Sequence, residues 1–170
     1  SSTNGAGHLL TVEAGQIFWK FWNAASPGTT ISAATPVLTL PVGRAHRIVG
    51  VFDGSHAKLY LNGALTQISV ATGTYAVPTG ERTIIGASAA AAYQLTRWSM
   101  HGADSGNGIP ADASIAADDK EIVNAEALTT VTGSGVSTTW RVRLDGSATA
   151  ADTIGTGPVT RVSGALLTRQ

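Results

Sequence analysis

The stretch whose reading decides the fold is RIVGVFDGSHAKLYLNGALTQISV, Arg47–Val70. It reads as three antiparallel strands joined by two tight turns. Arg47–Phe52 is apolar and rich in Ile and Val, as a buried or half-buried strand requires. Asp53-Gly54 breaks it with a turn signal, because glycine takes positive φ without a steric penalty. Ala57–Leu61 follows and alternates, with Leu59 and Leu61 on one face and Lys58 and Tyr60 on the other. Asn62-Gly63 is the strongest short hairpin signal, since a type I′ turn needs positive φ at both central residues. Leu65–Val70 is the third strand, with Leu65 on one face and Ile68 and Val70 on the other. A slip of one residue would turn Leu59 and Leu61 outward, so turns and alternation specify one pairing.

The same residues resemble a known family. HRIVGVFDGSHAKLYLNG, His46–Gly63, is similar to the central hairpins of the laminin-G-like, concanavalin A-like jelly roll. That pattern runs Trp/His-His-Val-Ala, then Tyr-Asp-Gly-Ser, then an apolar-Tyr-Val-Asn-Gly segment. His46, Val49, Phe52, Asp53, Gly54, Ser55, Leu59, Tyr60, Leu61, Asn62 and Gly63 fall on it. These are turn and core positions, so the likeness implies a fold, an all-β two-sheet antiparallel jelly-roll sandwich, and says little about chemistry.

Composition narrows the classes. The 170 residues suit one domain, 1–170, with a sizeable core. Formal net charge is zero, which gives no electrostatic case for nucleic acid or an anionic membrane. Charged residues make up 13%, about half the usual share, and Ala, Thr, Gly and Ser fill surface positions instead. This favours a turn-rich β domain and points towards a secreted or particle-surface protein. Absence of cysteine excludes disulfides and thiolate chemistry. No apolar run reaches a membrane span. The chain starts at Ser1 with no signal-peptide pattern, which is expected of a mature product or a part of something longer.

Outward from the central hairpins, Ser1–Gly7 is a polar leading arm and His8–Glu13 a short strand turned by Ala14-Gly15. Gln16–Asn23, QIFWKFWN, puts Ile17, Trp19 and Phe21 on one face and Phe18, Lys20 and Trp22 on the other. Both faces are apolar, which predicts a central strand covered on one side by the core and on the other by something else. Pro27-Gly28 turns into Thr30–Ala33, and Val37–Leu40 is expected as a further β segment. Downstream, Arg82–Ser88 and Gln94–His101 read as strands, with Gly102–Pro110 as a turn-rich loop. Ser114–Leu128 reads as one short helix, with Asp118, Asp119 and Glu121 early, where the helix dipole favours them. Residues 129–170 form a C-terminal segment containing a strand at Thr138–Leu144. Thr139–Leu166 resembles the opening strand of many laminin-G-like domains, through Trp140, Leu144, Asp145, Gly146, Ser147, Ala151, Asp152, Gly155 and Gly157. The family order covers about residues 5–126, with the opening strand displaced to the end. Circular permutation, completion of a neighbouring copy, or continuation into another unit each account for this. The first two are favoured because an incomplete sandwich leaves open edges.

Three chemistries are weighed. A glycoside hydrolase needs two flanking carboxylates, which on a strand would read Glu-x-Asp-x-Glu, and no such run occurs. There is no Gly-x-Ser-x-Gly elbow, although a Ser-His-Asp site stays open. The four histidines lack metal-ligand spacing; His46 and His56 are expected on neighbouring strands flanking the Asp53-Gly54 turn. The resemblance allows a rim Ca²⁺ on Asp104, Asn107 and Asp152, although turns need the same residue types. It also implies a carbohydrate face, for which Phe18, Trp22, Tyr60 and Trp98 are the candidate stacking residues. Trp19 and Phe21 are core. The expectation is a non-enzymatic recognition or adhesion module that binds carbohydrate or another surface ligand. It would be a homo-oligomer or part of a larger assembly on an extracellular, cell or virion surface. The alternative is a structural capsid, tail or fibre subunit without a small ligand, and a glycan-active enzyme comes third.

Overall fold

The structure, a computed structural model, describes residues 6–38, 46–77, 102–116 and 137–143. The predicted strands at Arg82–Ser88 and Gln94–His101, and the predicted helix beyond residue 116, lie outside the described residues. Two compact units are present, one of Ser1–Glu81 with Ile109–Gly135 and one of Arg82–Gly108 with Val136–Gln170.

The first unit contains two antiparallel three-stranded sheets. Strands β1 (His8–Glu13), β2 (Gln16–Trp22) and β3 (Thr30–Ala34) make one, in the order β1-β2-β3. Strands β4 (Ile48–Phe52), β5 (Ala57–Leu61) and β6 (Ala64–Ile68) make the other, in the order β4-β5-β6. The turns are those the sequence predicts. Ala14 and Gly15 have φ of 49° and 78°, and Asn62 and Gly63 have 50° and 77°, so each hairpin closes through two residues in the left-handed region, whose twist matches the strands. The Asn62 side chain also accepts from the Arg47 amide at 3.1 Å, tying the turn to the start of β4.

Alternation along β2 sends Ile17, Trp19 and Phe21 inward, where they meet Ile31 and Ala33 of β3 and Ala57 and Leu59 of β5 in one buried cluster. This is the expected sandwich, with β2 central in its sheet. Each large side chain removed from water here contributes roughly 1.5–3 kcal/mol. Phe21 and Phe52 pack with ring centroids 4.6 Å apart, and Tyr75 closes the group at 5.9 Å from Phe52. Buried polar atoms are satisfied: the Thr35 hydroxyl accepts from the Ile17 amide at 3.0 Å, and the Ser69 hydroxyl accepts from the Ala57 amide and donates to the Ala71 carbonyl.

Trp19 joins the sheets directly. Its indole N–H donates to the Val51 carbonyl at 3.0 Å. The ring can reach because Gly50, on the inward face of β4, has no side chain: a Cβ there would overlap Cδ2, Cε3 and Cε2 of the indole.

After β6 the chain crosses from one sheet to the other. Gly73 donates to the Ser55 carbonyl, while Ala24 donates to Thr74 and Ala76 donates to Trp22. Gly7 in turn donates to Ala76 at 2.8 Å, and Asn23 and Tyr75 form an antiparallel bridge. The connector therefore extends the edge of the first sheet beyond β1.

The outer face of the second sheet is covered by a short helix, α1, at residues 112–116. Ile115 packs with Val51, Tyr60 and Val49. Arg47 donates from Nη1 to the Ile115 carbonyl at 3.1 Å, and the Tyr60 hydroxyl donates to Asp112 Oδ1 at 2.7 Å. The helix thus begins two residues before the predicted Ser114.

Three expectations need correction. Val37 and Leu38 are not a strand: Pro36 lacks an amide donor, and Leu38 instead donates to Gly15 at the β1–β2 turn. Leu65 and Ile68 do not face opposite ways. Tyr60 pairs with Leu65 and Lys58 with Ile68, and a register shift between Leu59 and Tyr60 leaves an extra residue in β6, so both apolar side chains fall on the outer face. In the second unit, Gly102–Asn107 is not a loop but strand β7, antiparallel to β8 at Ser137–Arg143. Its weak strand propensity is overridden by long-range pairing with β8, which realises the strand predicted at Thr138–Leu144.

Replacing Gly50 by Ala inserts a methyl group into the space held by the Trp19 ring. The expected cost is about 1–3 kcal/mol of folding stability, measured by denaturant unfolding; an unchanged midpoint would show that the ring does not depend on the bare backbone.

Candidate functional site

The two sheets differ in what covers them. The outer side of β4-β5-β6 carries α1, and Tyr60 beneath it is 1% exposed. Burial, together with the adjacent Asp112 carboxylate, pushes the Tyr60 phenol well above its ordinary range. Tyr60 is therefore a structural residue and leaves the candidate ligand set. It also lies on the opposite side of the sandwich from Phe18 and Trp22, so one face cannot present all three.

The outer face of β1-β2-β3 is built differently. Register places Gln16, Phe18, Lys20 and Trp22 along the middle strand, with Glu13, Thr11 and Leu9 beside them on β1, and Ala34, Ser32 and Thr30 on β3. Phe18 and Trp22 are both partly exposed. Their separation of four residues on one strand is about 13 Å. Lys20, between them, leans towards Phe18: its ammonium lies 4.8 Å from the Phe18 ring centroid and 3.4 Å from Glu13 Oε1. The Trp22 ring makes no ring contact or side-chain hydrogen bond among the described residues, while its backbone is held firmly by Gly7 and Ala76. The face thus offers one open indole and one phenyl ring partly capped by a cation. Hydroxyl and amide side chains border both.

Trp98 and Asp152 lie outside the described residues. Asp104 and Asn107 lie on β7, opposite Arg141 and Ser137 of β8, so the turn on which the calcium expectation rested is a paired strand. Among the described residues no group of three or more His, Asp or Glu side chains is placed to hold a metal. His46 and His56 do not flank the same turn. His46 meets Asn62 at the β5–β6 end of the hairpin, with its Nδ1 3.2 Å from the Asn62 amide nitrogen, whereas His56 sits at the Asp53 end.

At that end a Ser-His-Asp group does occur. Ser55 Oγ lies 2.8 Å from His56 Nδ1, and Asp53 Oδ1 lies 3.7 Å from the same nitrogen. A catalytic relay needs acid and nucleophile on opposite ring nitrogens, so this arrangement locks a turn instead. Asp53 accepts from the amides of His56 at 2.8 Å and Ser55 at 3.0 Å, and pairs with Lys58 at 3.2 Å. These donors, chiefly the His56 amide, hold its carboxyl well below the usual carboxylate range. A depressed carboxylate pKa stabilises the fold fully above the unfolded value near 3.9, and that contribution is lost as pH falls below it. Asp53→Ala is expected to cost about 1.5–3 kcal/mol at pH 7. The gap to the parent chain should shrink as the pH of the unfolding titration is lowered below about 4; a gap constant with pH would contradict this role.

His8 is the remaining ring near an open edge. It lies 5.2 Å from the Trp19 ring and bonds through Nδ1 to the Tyr75 hydroxyl at 2.9 Å. Partial desolvation beside these rings lowers its pKa below the ordinary 6.5, although the residue stays exposed at the sheet edge.

Neither curated proteins nor solved structures provide a match to the chain. The laminin-G-type model of the concanavalin A-like lectin/glucanases superfamily matches residues 1–99, a span that holds both sheets of the sandwich. With more than half of its length matched and two antiparallel sheets packed face to face, the chain belongs to the concanavalin A-like lectin/glucanase superfamily, which supports a carbohydrate-binding or adhesion-type module as its broad class of function.

Proposed function

We propose that this chain is a non-enzymatic recognition module, displayed on an extracellular or virion surface, that binds carbohydrate on the outer face of β1-β2-β3. The observation that carries the reading is the pair of partly exposed rings, Phe18 and Trp22, on one strand of a sheet whose outer face is bordered by Thr11, Gln16, Thr30 and Ser32. Sugar rings present C–H faces that stack on aromatic rings and hydroxyls that need polar partners at the margin. A platform of about 13 Å exceeds one pyranose, which favours a short oligosaccharide over a monosaccharide. Trp22 is the principal stacking residue, because Lys20 occupies one side of Phe18.

Hydrolysis is a poorer reading of the same face. Glycoside cleavage needs two carboxylates across the bond. Of the described residues that register assigns to this face, Glu13 is the one carboxylate, and it is paired to Lys20.

A glycan array probed with the labelled chain tests the proposal. Trp22→Ala is expected to weaken the strongest glycan signal by roughly tenfold, as loss of about 1.5 kcal/mol of stacking implies, and Phe18→Ala to weaken it less. The far-UV circular dichroism of both variants should match the parent chain. Unchanged binding in Trp22→Ala, or collapse of the fold in that variant, would show that the indole is not a ligand platform.

A further inference from the structure

Stacking on Phe18 and Trp22 gives no role to the two charges that share their face. Of the described residues that register assigns to this face, Lys20 and Glu13 are the only charged ones. Lys20 stands on β2 between the two rings, and Glu13 ends β1 opposite Gln16. The Lys20 ammonium donates to Glu13 Oε1 at 3.4 Å and lies 4.8 Å from the Phe18 centroid, so the pair belongs to the Phe18 end of the platform. Both side chains keep contact with solvent, at 23% and 52% exposure. An exposed pair of this kind adds little to folding stability, so its groups turn towards a ligand at small cost. An ammonium donates three hydrogen bonds and accepts none, while a carboxylate accepts and does not donate. The bond between them leaves further ammonium protons and the second carboxylate oxygen unused among the described residues.

We infer that Lys20 and Glu13 are specificity-determining residues, which select a neutral sugar with vicinal hydroxyls next to the one stacked on Trp22 and reject an acidic sugar there. The inference rests on the carbohydrate reading of this face. A vicinal diol presents a hydroxyl oxygen to the ammonium and a hydroxyl proton to the carboxylate, side by side, so both groups of the pair are matched at once. An acidic group in the same place offers acceptors only. It meets a cation already neutralised by Glu13, and it sets its own negative charge against the Glu13 carboxylate. The two residues therefore differ in role. Lys20 alone on this face would attract acidic sugars, and Glu13 is the element that excludes them.

The test compares the affinity of the full chain for tetramers of glucose, galactose and mannose with its affinity for the corresponding uronic-acid tetramers. The parent chain is expected to bind a neutral tetramer roughly tenfold more tightly than its acidic counterpart. Glu13→Gln, which keeps the size and removes the charge, is expected to abolish or reverse that preference. Lys20→Met, which keeps an unbranched stem beside Phe18, is expected to weaken neutral binding roughly tenfold without improving acidic binding. Trp22→Ala is expected to weaken both classes alike, since it reports on stacking and not on the pair. A parent chain that prefers the acidic tetramers overturns the inference. So does a preference unmoved by Glu13→Gln while Trp22→Ala still weakens binding, and in both of these cases the carbohydrate face itself stands. Binding to no tetramer of either class, or binding that Trp22→Ala leaves unchanged, overturns both the inference and the reading on which it rests.

Discussion

The contact on which the sandwich depends is the one between Trp19 and the β4 backbone. Two sheets packed face to face are usually held by side chains interdigitating across a gap of about 10 Å. Here one side chain spans that gap and donates a hydrogen bond to a main-chain carbonyl of the opposite sheet. Dispersion and hydrophobic burial are non-directional and tolerate small shifts between the sheets. A buried N–H···O=C bond does not, because leaving either group unpaired costs about 1–3 kcal/mol. Trp19 therefore sets the distance and the lateral alignment of the sheets, and Gly50 is what makes the approach sterically possible.

That alignment leaves the two outer faces with different fates. Tyr60 on one face is covered by α1, anchored through Asp112 and through the Arg47 bond to Ile115. Phe18 and Trp22 on the other face remain partly open. Aromatic rings end up as packing in one case and as available surface in the other. The difference lies in which sheet the helix crosses, not in the rings themselves.

This is also where the sequence was informative and where it was not. The hairpins were legible because their determinants are local: Asn62-Gly63 and Ala14-Gly15 demand left-handed φ, and period-two alternation assigns Leu59, Ile17 and Phe21 to the core. The aromatic strand is central in its sheet, as its sequence predicts, but its outer face, expected to be covered, stays partly exposed. Features set by partners far along the chain were not legible. Nothing near Tyr60 announces a helix fifty residues later, so a buried hydroxyl and an exposed one look alike in the string. The bulge opposite Tyr60 is a property of pairing, and it reversed the face assigned to one apolar residue of β6. Gly50 reads as a neutral interruption of an apolar run until the indole is placed over it. Gly102–Asn107 has the composition of a turn and becomes a strand through its ladder with β8.

The connector after β6 has a mechanical consequence. Gly73 is bonded to Ser55, at the turn between β4 and β5, while Thr74 and Ala76 are bonded to β2 and the residues flanking it. The chain therefore rivets the ends of both sheets within a few residues, beside the aromatic group of Phe21, Phe52 and Tyr75. Traction on the β1-β2-β3 sheet would tend to shear it over its partner. At this end such shear loads several hydrogen bonds at once, in parallel, instead of peeling them one after another. The coupling of the two sheets is thereby strengthened without any added core.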